Sequence, residues 1–482
     1  SDGSTPSTER FVGGLFVDYD VNDKVTVSVH YDKTNDNGNV DSGAYIDINT
    51  GKPILGADHI WDAQWSTIEN DVENAGFDIA AQLSDNVDMK IGYNHQDFRR
   101  RDTESFTDPK SYIKNNDGTV DYEVYDRLDH WVFNTAFIDF VGEFDAFGMQ
   151  HQTLIGANWL GYYYSKLSES SDTLTGVIGQ PFAKPSGTNA ENDTTKYISE
   201  RDSYGIYVQD MVTVNDQWQV LAGLRFDREV NKDYTHNNVL PKLGLIYHPK
   251  ANGSIYATYS ESFEPKDPVN SKKDINFGTE LDPVKGKLYE LGSKWELMDN
   301  QLFLSGAIFD ITQENVVISQ KTGNGSETET TQAGKQVHRG AEFNATGYVT
   351  QAFSLSGSMT YLDATIHDEF KPDRDGNRPA DVPEFSASVW TRYSFANNTD
   401  VNLGAIYVGE RFGDVENDYK KDAYTRFDTG IAHTINYDKD MDLVVRFNIE
   451  NLFDTDYLAG GGETNTVIGE GRNYMASIQL RY

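Results

Sequence analysis

The chain has 482 residues, with 76 Asp and Glu against 41 Lys and Arg, a formal net charge of −35, and no cysteine. So acidic a chain is a poor partner for a nucleic-acid backbone, and without cysteine it holds neither disulfides nor thiolate metal sites. Mean hydropathy is −0.60 and no stretch approaches twenty apolar residues, which excludes a helical membrane span, yet there are 28 Tyr and 25 Phe.

Polarity combined with many aromatics suits a transmembrane β-barrel, whose lipid face needs only every second residue, or a large secreted β-protein. The first residues, SDGSTPSTER, contain no apolar core and are not a signal peptide; a signal would lie upstream. Alternation then begins. KVTVSVHY sets Val25, Val27, Val29 and Tyr31 against Lys24, Thr26, Ser28 and His30. VDMKIGYN sets Val87, Met89, Ile91 and Tyr93 against Asp88, Lys90 and Asn94. WQVLAGLRFD (218–227), FSLSGSMTY (353–361), LVVRFNIE (443–450) and the closing NYMASIQLRY (473–482) repeat the pattern. No helical period is sustained, so the class is all-β.

The connections narrow this further. Short turns rich in Asn, Asp or Gly stand at VNDK, LSDNV, FDAFG, VNDQ, HPKANG, LMDNQ, VTQA, ANNT and YDKD. Between them lie long polar segments at roughly 33–73, 97–127, 166–199, 231–238, 264–283, 316–330, 367–382, 413–422 and 455–471. Strict alternation of nine short and nine long connections implies nineteen strands with all long loops at one end. A sandwich or propeller has no reason for that arrangement, whereas an antiparallel outer-membrane barrel does. The last strand then runs toward the periplasm, with Tyr482 in the periplasmic aromatic girdle. Its alternating, aromatic-ended form also resembles the signal read by barrel-assembly machinery, with Tyr where Phe is more usual.

Catalytic spacing is missing: there is no HExxH, GxSxG or phosphate-cradling Gly loop. His30 and His433 are expected to face the lumen or an interface. DRDG (373–376) and NNDGTVDYE (115–123) lack the first Asp and twelfth Glu of a calcium loop and are read as turns. The chain is therefore not read as an enzyme, and no metal-ligating set is assigned.

Several phrases in the C-terminal two thirds resemble the TonB-dependent outer-membrane ferric-siderophore receptor family. YGIYVQDMVTVNDQWQVLAGLRFD (204–227), PKLGLIYHPKANGSIYATYSESFEP (241–265) and LDPVKGKLYELGSKWELMDNQLFLSGAIFDITQENV (281–316) are similar to its strand pairs, with Val284 where Glu is usual. HRGAEFNATG (338–347), DVPEFSASVWTRY (381–393), GERFGD (409–414), YTRFDTGIAH (424–433), NIENLFDTDY (448–457) and the closing strand follow in the family's order. Glycines 223, 292 and 340 fall in strands, where a missing side chain permits close packing.

The resemblance implies residues 1–482 as the C-terminal part of a twenty-two-strand barrel, with three strands, an N-terminal plug, the TonB box and the signal upstream of Ser1. The strand at 11–20 should then lack a neighbour, leaving a seam or missing segment between it and 472–482. Plug-facing charges in the lumen are expected at Arg225, Asp227, Glu342, Arg392, Arg426, Asp428, Arg446 and Glu450, with Arg339 mainly on or beside the same face. The implied function is import of a ferric siderophore across the bacterial outer membrane by a monomeric receptor coupled to the TonB complex. The chelate is the transported ligand, and no cofactor is bound covalently. Cobalamin, haem or a glycan is the alternative cargo, and a passive porin a further one. On HQTLIGANWLGYYYSK, Gln152 and Asn158 mark the inward face, which places Tyr162 and Tyr164 inward near the rim, as ligand contacts or as girdle tyrosines. Trp61 and Trp65, in the first long loop, are the remaining ligand candidates.

Overall fold

Period-two patterning and tight Asx turns build this chain into strands. The computed structural model describes residues 8–40, 43–47, 51–55, 61–108, 115, 117–177, 184–194, 196–322, 327–368, 371–438, 441–462 and 466–481; Tyr482 lies outside them. In chain order the strands begin β1 (Thr8–Asn22), β2 (Val25–Asn39), the short β3 (Ile46–Asp47) and β4 (Lys52–Pro53), β5 (Thr67–Ser84) and β6 (Val87–Asp108). They continue with β7 (Thr119–Ala146), β8 (Met149–Ser170), β9 (Leu174–Val177), β10 (Tyr197–Asn215), β11 (Trp218–Asn231), β12 (Thr235–Lys250) and β13 (Gly253–Glu264). Next come β14 (Val284–Leu297), β15 (Leu302–Lys321), β16 (Thr328–Thr350), β17 (Phe353–His367), β18 (Phe385–Phe395) and β19 (Thr399–Val408). The last are β20 (Arg411–Phe412), β21 (Lys420–Lys421), β22 (Tyr424–Asp438), β23 (Met441–Glu450), β24 (Leu458–Gly460), β25 (Val467–Ile468) and β26 (Asn473–Arg481). Among the described residues nineteen strands have nine residues or more, the number expected from the turns.

The turns work through side-chain caps. Asn22 Oδ1 accepts from Lys24 N at 2.9 Å, and Asn215 Oδ1 accepts from Gln217 N at 2.9 Å. At FDAFG, Phe147 (φ 55°) and Gly148 (φ 75°) both take the left-handed conformation that a two-residue hairpin turn demands.

Two compact units divide the chain. The first comprises 1–45, 53–213 and 221–241; the second comprises 46–52, 214–220 and 242–482. In the first unit β1, β2, β5, β6, β7, β8 and β10 pair antiparallel in succession. One face of this ladder carries Val29, Phe77 and Tyr93 in register, and further along Ile155 opposite Val208. Val29 is 53% exposed and Ile155 52%. The opposite face carries Ser28, Asp78, Lys90 and Asn158.

In the second unit β13 to β19, β22, β23 and β26 form a like ladder. Leu291 pairs with Ile308, Phe343 with Met359, and Ile431 with Phe447, all exposed. An apolar face this extensive, left uncovered, belongs against lipid rather than water. Val25, Val27 and Val29 lie outside any closed core: the first two are half-buried and the third exposed.

The long connections are shorter than expected. β6 and β7 stay in register as far as Asp108 and Asp121, through most of the segment 97–127 read as loop. β15 and β16 likewise pair through Lys321 and Thr328 inside the expected loop 316–330. Charges on both faces hid the β6–β7 strands in the sequence. The structure neutralises them across the ladder, Arg100 with Asp129, Arg101 with Asp126 and Arg127 with Asp102. Each calcium-like phrase contributes a turn: Asp117 accepts from Thr119 N at 2.9 Å just where β7 begins, and Gly376 has φ 86°.

Candidate functional site

On the polar face of the first unit, far from the tight turns, aromatic side chains line up across four strands. Phe98 on β6 and Trp131 on β7 are opposite one another, as are Trp131 and Tyr164 on β8. Their rings stack at 4.7 Å and 5.1 Å between centroids, and Tyr197 on β10 closes the row at 6.0 Å, edge-on to Tyr164. A second rank pairs Phe133 with Tyr162 at 5.3 Å, with the Arg201 guanidinium 4.7 Å from the Tyr162 ring. Cross-strand pairing of aromatics is itself favourable.

Charges interleave with this row. Arg100 lies 5.1 Å from the Trp131 ring and donates to Asp129 Oδ2 through Nη2 at 2.9 Å. Tyr164 donates its phenol to Asp129 Oδ1 at 2.7 Å. Arg127 reaches Asp102 through Nη2 at 2.6 Å and Asp129 through Nε at 2.7 Å. Nearer the turns on the same face, Arg225 donates to Asn158 at 2.9 Å and to Asp227 at 2.7 Å. Cationic forks, phenols and flat aromatic surface side by side can bind a planar or hydrogen-bonding ligand without bond chemistry.

The structure thus brings Tyr162 and Tyr164 together on the polar face with Asn158, as the alternation implied. Phe98, Arg100, Asp129, Trp131, Tyr197 and Arg201 escaped the sequence reading. Phe98 and Arg100 fell in the segment 97–127 read as a loop, where no alternation marks a strand.

The two tryptophans sit elsewhere. Trp61 is 3% exposed, edge-on to Tyr45 at 4.7 Å and packed with Val120, in a small core that closes the first long connection over β7. Burial pushes the Tyr45 phenol up to about 12, in a loop where its hydroxyl donates to Thr107 O at 2.8 Å. Trp65 is half-buried, with Lys184 Nζ 5.6 Å from its ring. Neither joins the aromatic row.

In the second unit Glu342, Arg392, Arg426, Asp428, Arg446 and Glu450 all occupy the polar face, by register opposite Thr360, Asn402, Ile406, Gly404, Ser477 and Asn473. A cavity of about 540 Å³ opens on this face, lined among others by Tyr348, Arg392, Asp428, Asn448 and Glu450. Arg392 donates to the Tyr348 phenol at 2.8 Å and Arg446 to Gln479 at 3.0 Å. Arg339 departs from this set. It shares the apolar face with Phe343 and meets Asp310 at 2.6 Å.

The recognisable phrases of this unit prove to be fasteners for its connections. Asn451, in NIENLFDTDY, is buried at φ 49°; its backbone donates to Asp428 at 2.8 Å and its side chain to Thr455 O and Glu470 O at 2.9 and 3.0 Å. Tyr457 stacks on Tyr424 at 4.3 Å. Asp381 takes Arg411 Nε at 2.6 Å and Lys421 Nζ at 2.9 Å, and both cationic side chains are buried. Burial alone would raise the Asp381 pKa, but Lys421 and Arg411 outweigh it and hold the carboxyl below the usual range.

Residues 13–452 match the family model described as TonB dependent receptor-like, beta-barrel. The metal-pseudopaline receptor CntO of Pseudomonas aeruginosa (strain UCBPP-PA14) is 27% identical over 383 residues, covering 73% of this chain and 51% of that protein. The probable TonB-dependent siderophore receptor PiuA of Acinetobacter baumannii is 26% identical over 396 residues, covering 71% and 51%. The chain therefore spans about half the length of these curated relatives. The crystal structure of the siderophore receptor PiuA from Acinetobacter baumannii superposes with a TM-score of 0.84 at 19% identity, over 99% of this chain and 75% of that one, which establishes the shared fold.

Proposed function

The chain belongs to the TonB dependent receptor-like, beta-barrel family, a family of outer-membrane receptors rather than enzymes, and from that premise we propose that it is the barrel portion of a ferric-siderophore importer. The chelate is held at the loop end of the polar face and moved inward by TonB-dependent active transport, with no covalent step. The observation that supports this reading most is the aromatic row from Phe98 to Tyr197, flanked by Arg100 and Arg201. Such a surface meets both the flat organic shell and the oxygen-rich edge of an iron chelate.

Tyr162 and Tyr164 are the contacts proposed first. Trp61 and Trp65 act through the conformation of their connection, because Trp61 is spent on its core. Arg225, Asp227, Glu342, Arg392, Arg426, Asp428, Arg446 and Glu450 are proposed to meet a plug domain, since charges facing an enclosed lumen need partners.

The test is growth of an iron-starved host that carries the complete receptor gene and lacks its own receptors, on defined ferric hydroxamates, catecholates and carboxylates. Growth on at least one chelate, lost when TonB is deleted, is the expected result. Growth supported only by haem or cobalamin would replace this cargo with the alternative.

A further inference from the structure

The polar network beside the aromatic row leaves one buried carboxylate oxygen without a donor among the described residues. Arg100 and Arg127 face Asp102, Asp129 and Glu104, all on the polar side of β6 and β7. Asp129 accepts from Arg100 and Tyr164, lies 2.7 Å from Arg127 Nε, and has Lys166 opposite it in the ladder. The Asp102 side chain is 2% exposed, Oδ2 meets Arg127, and the buried Oδ1 has no hydrogen-bond donor among the described residues.

Glu104 follows Asp102 on the same face, two residues along, and its carboxyl is within hydrogen-bond reach of Asp102. Asp62, in the connection packed above, and Tyr125, beside Arg127, add no positive charge. Two carboxylates this close repel as anions, which favours a proton or a cation between them. We propose that Asp102 and Glu104 form a cation-accepting subsite that holds a proton when empty and exchanges it for an ammonium group on the ligand. Glu104 remains partly exposed, so a ligand on the aromatic row can reach it.

The pair lies far beyond the roughly 9–11 residues that cross a bilayer, counted from the turn before Val87. Burial, then the hydrogen bond to Asp102, pushes the Glu104 carboxyl up to about 7, so below neutral pH the empty site holds a proton that is readily displaced. On exchange the proton leaves to solvent, and the ammonium N–H groups donate to Asp102 Oδ1 and to the Glu104 carboxylate. No bond to carbon changes.

This inference rests on the polar face being the ligand vestibule. The experiment uses the full receptor and two probes, ferric desferrioxamine B and its N-acetylated form, which share their iron-binding groups and differ by one ammonium. Wild-type receptor should bind the charged chelate about tenfold more tightly and release close to one proton per ligand below pH 7, falling toward none as pH rises above it, read by calorimetry in buffers of different ionisation enthalpy. Glu104→Gln should bind both alike and release none. An infrared difference spectrum between unliganded wild type and Glu104→Gln should show a protonated carboxyl that disappears as pH rises through about 7. Equal wild-type affinity for the two chelates, or absence of that carboxyl band, overturns the exchange while leaving the receptor reading intact. Binding of no ferric chelate at all removes both.

Discussion

Tyr164 donates its phenol to Asp129 at 2.7 Å while its ring stacks on Trp131 at 5.1 Å, so one side chain is tied to the ion network and to the aromatic row. Replacing Tyr162 and Tyr164 together with Ala should weaken chelate binding at least about tenfold, near 1.4 kcal/mol, without preventing barrel assembly. Tyr164→Phe keeps the stack and loses only the phenol, leaving Asp129 to its two arginines, and should lower stability by about 1.5–3 kcal/mol. Equilibrium binding and heat-modifiable electrophoretic mobility measure the two effects. Unchanged affinity in the double variant would return both tyrosines to a girdle role.

Asp381 holds two buried cations, and its protonation should release the connections around 381, 411–421 and 458–462. Its folded pKa lies below the unfolded value. The stabilisation is therefore fully present above about pH 4 and is lost as pH falls through the lower folded value. Hydrogen exchange at 411–421 should accelerate only in that acid window. Asp381→Asn should produce the same acceleration at neutral pH, at a cost of about 3–5 kcal/mol for stranding Arg411 and Lys421.

Asn451 combines a left-handed backbone with three hydrogen bonds from its side chain, two donated and one accepted from Thr455 N. Asn451→Gly relieves the backbone requirement but loses the hydrogen bonds, whereas Asn451→Ala loses both. The glycine variant should therefore be the more stable of the two by about 1 kcal/mol. Urea unfolding of the purified barrel in detergent provides the comparison, and equal stability would show that the conformation at 451 carries no weight.

Val29 and Ser28 are neighbours on opposite faces of β2. Val29→Lys should destabilise the membrane-inserted state by about 2–4 kcal/mol if Val29 lies near the bilayer midplane, while Ser28→Lys should be tolerated on the polar side. Folding into lipid vesicles, followed by tryptophan fluorescence, tests the contrast. Equal tolerance would argue against lipid on the apolar face.

The all-β class, the nineteen long strands and the facing of the quoted alternating stretches were legible along the chain. Period-two alternation and Asx turns act over a few residues, so they are written locally. NYMASIQLRY illustrates this: Tyr474, Ala476, Ile478 and Leu480 share a face with Leu443, Val445, Phe447 and Ile449, as their spacing alone requires. The same parity put Tyr162, Tyr164, Arg225 and Glu450 on the polar face. Parity also put Arg339 on Phe343's side, against the lumen role its charge suggested, and its partner there, Asp310, lies 29 residues away in the chain.

What only the tertiary structure decided is how far the strands run and which charges meet. RRRD at 99–102 is polar on both faces and carries no period, so nothing in it signals a strand. It becomes one because Asp126, Arg127 and Asp129 arrive opposite it, and their ion pairs and the continuing backbone ladder replace the water a loop would need. The same long-range register aligned Phe98, Trp131 and Tyr164 into a row and brought Arg127 opposite Asp102. Local sequence sets the direction of each side chain; its neighbour across the sheet is set by pairing between distant strands, and that pairing determines both burial and charge.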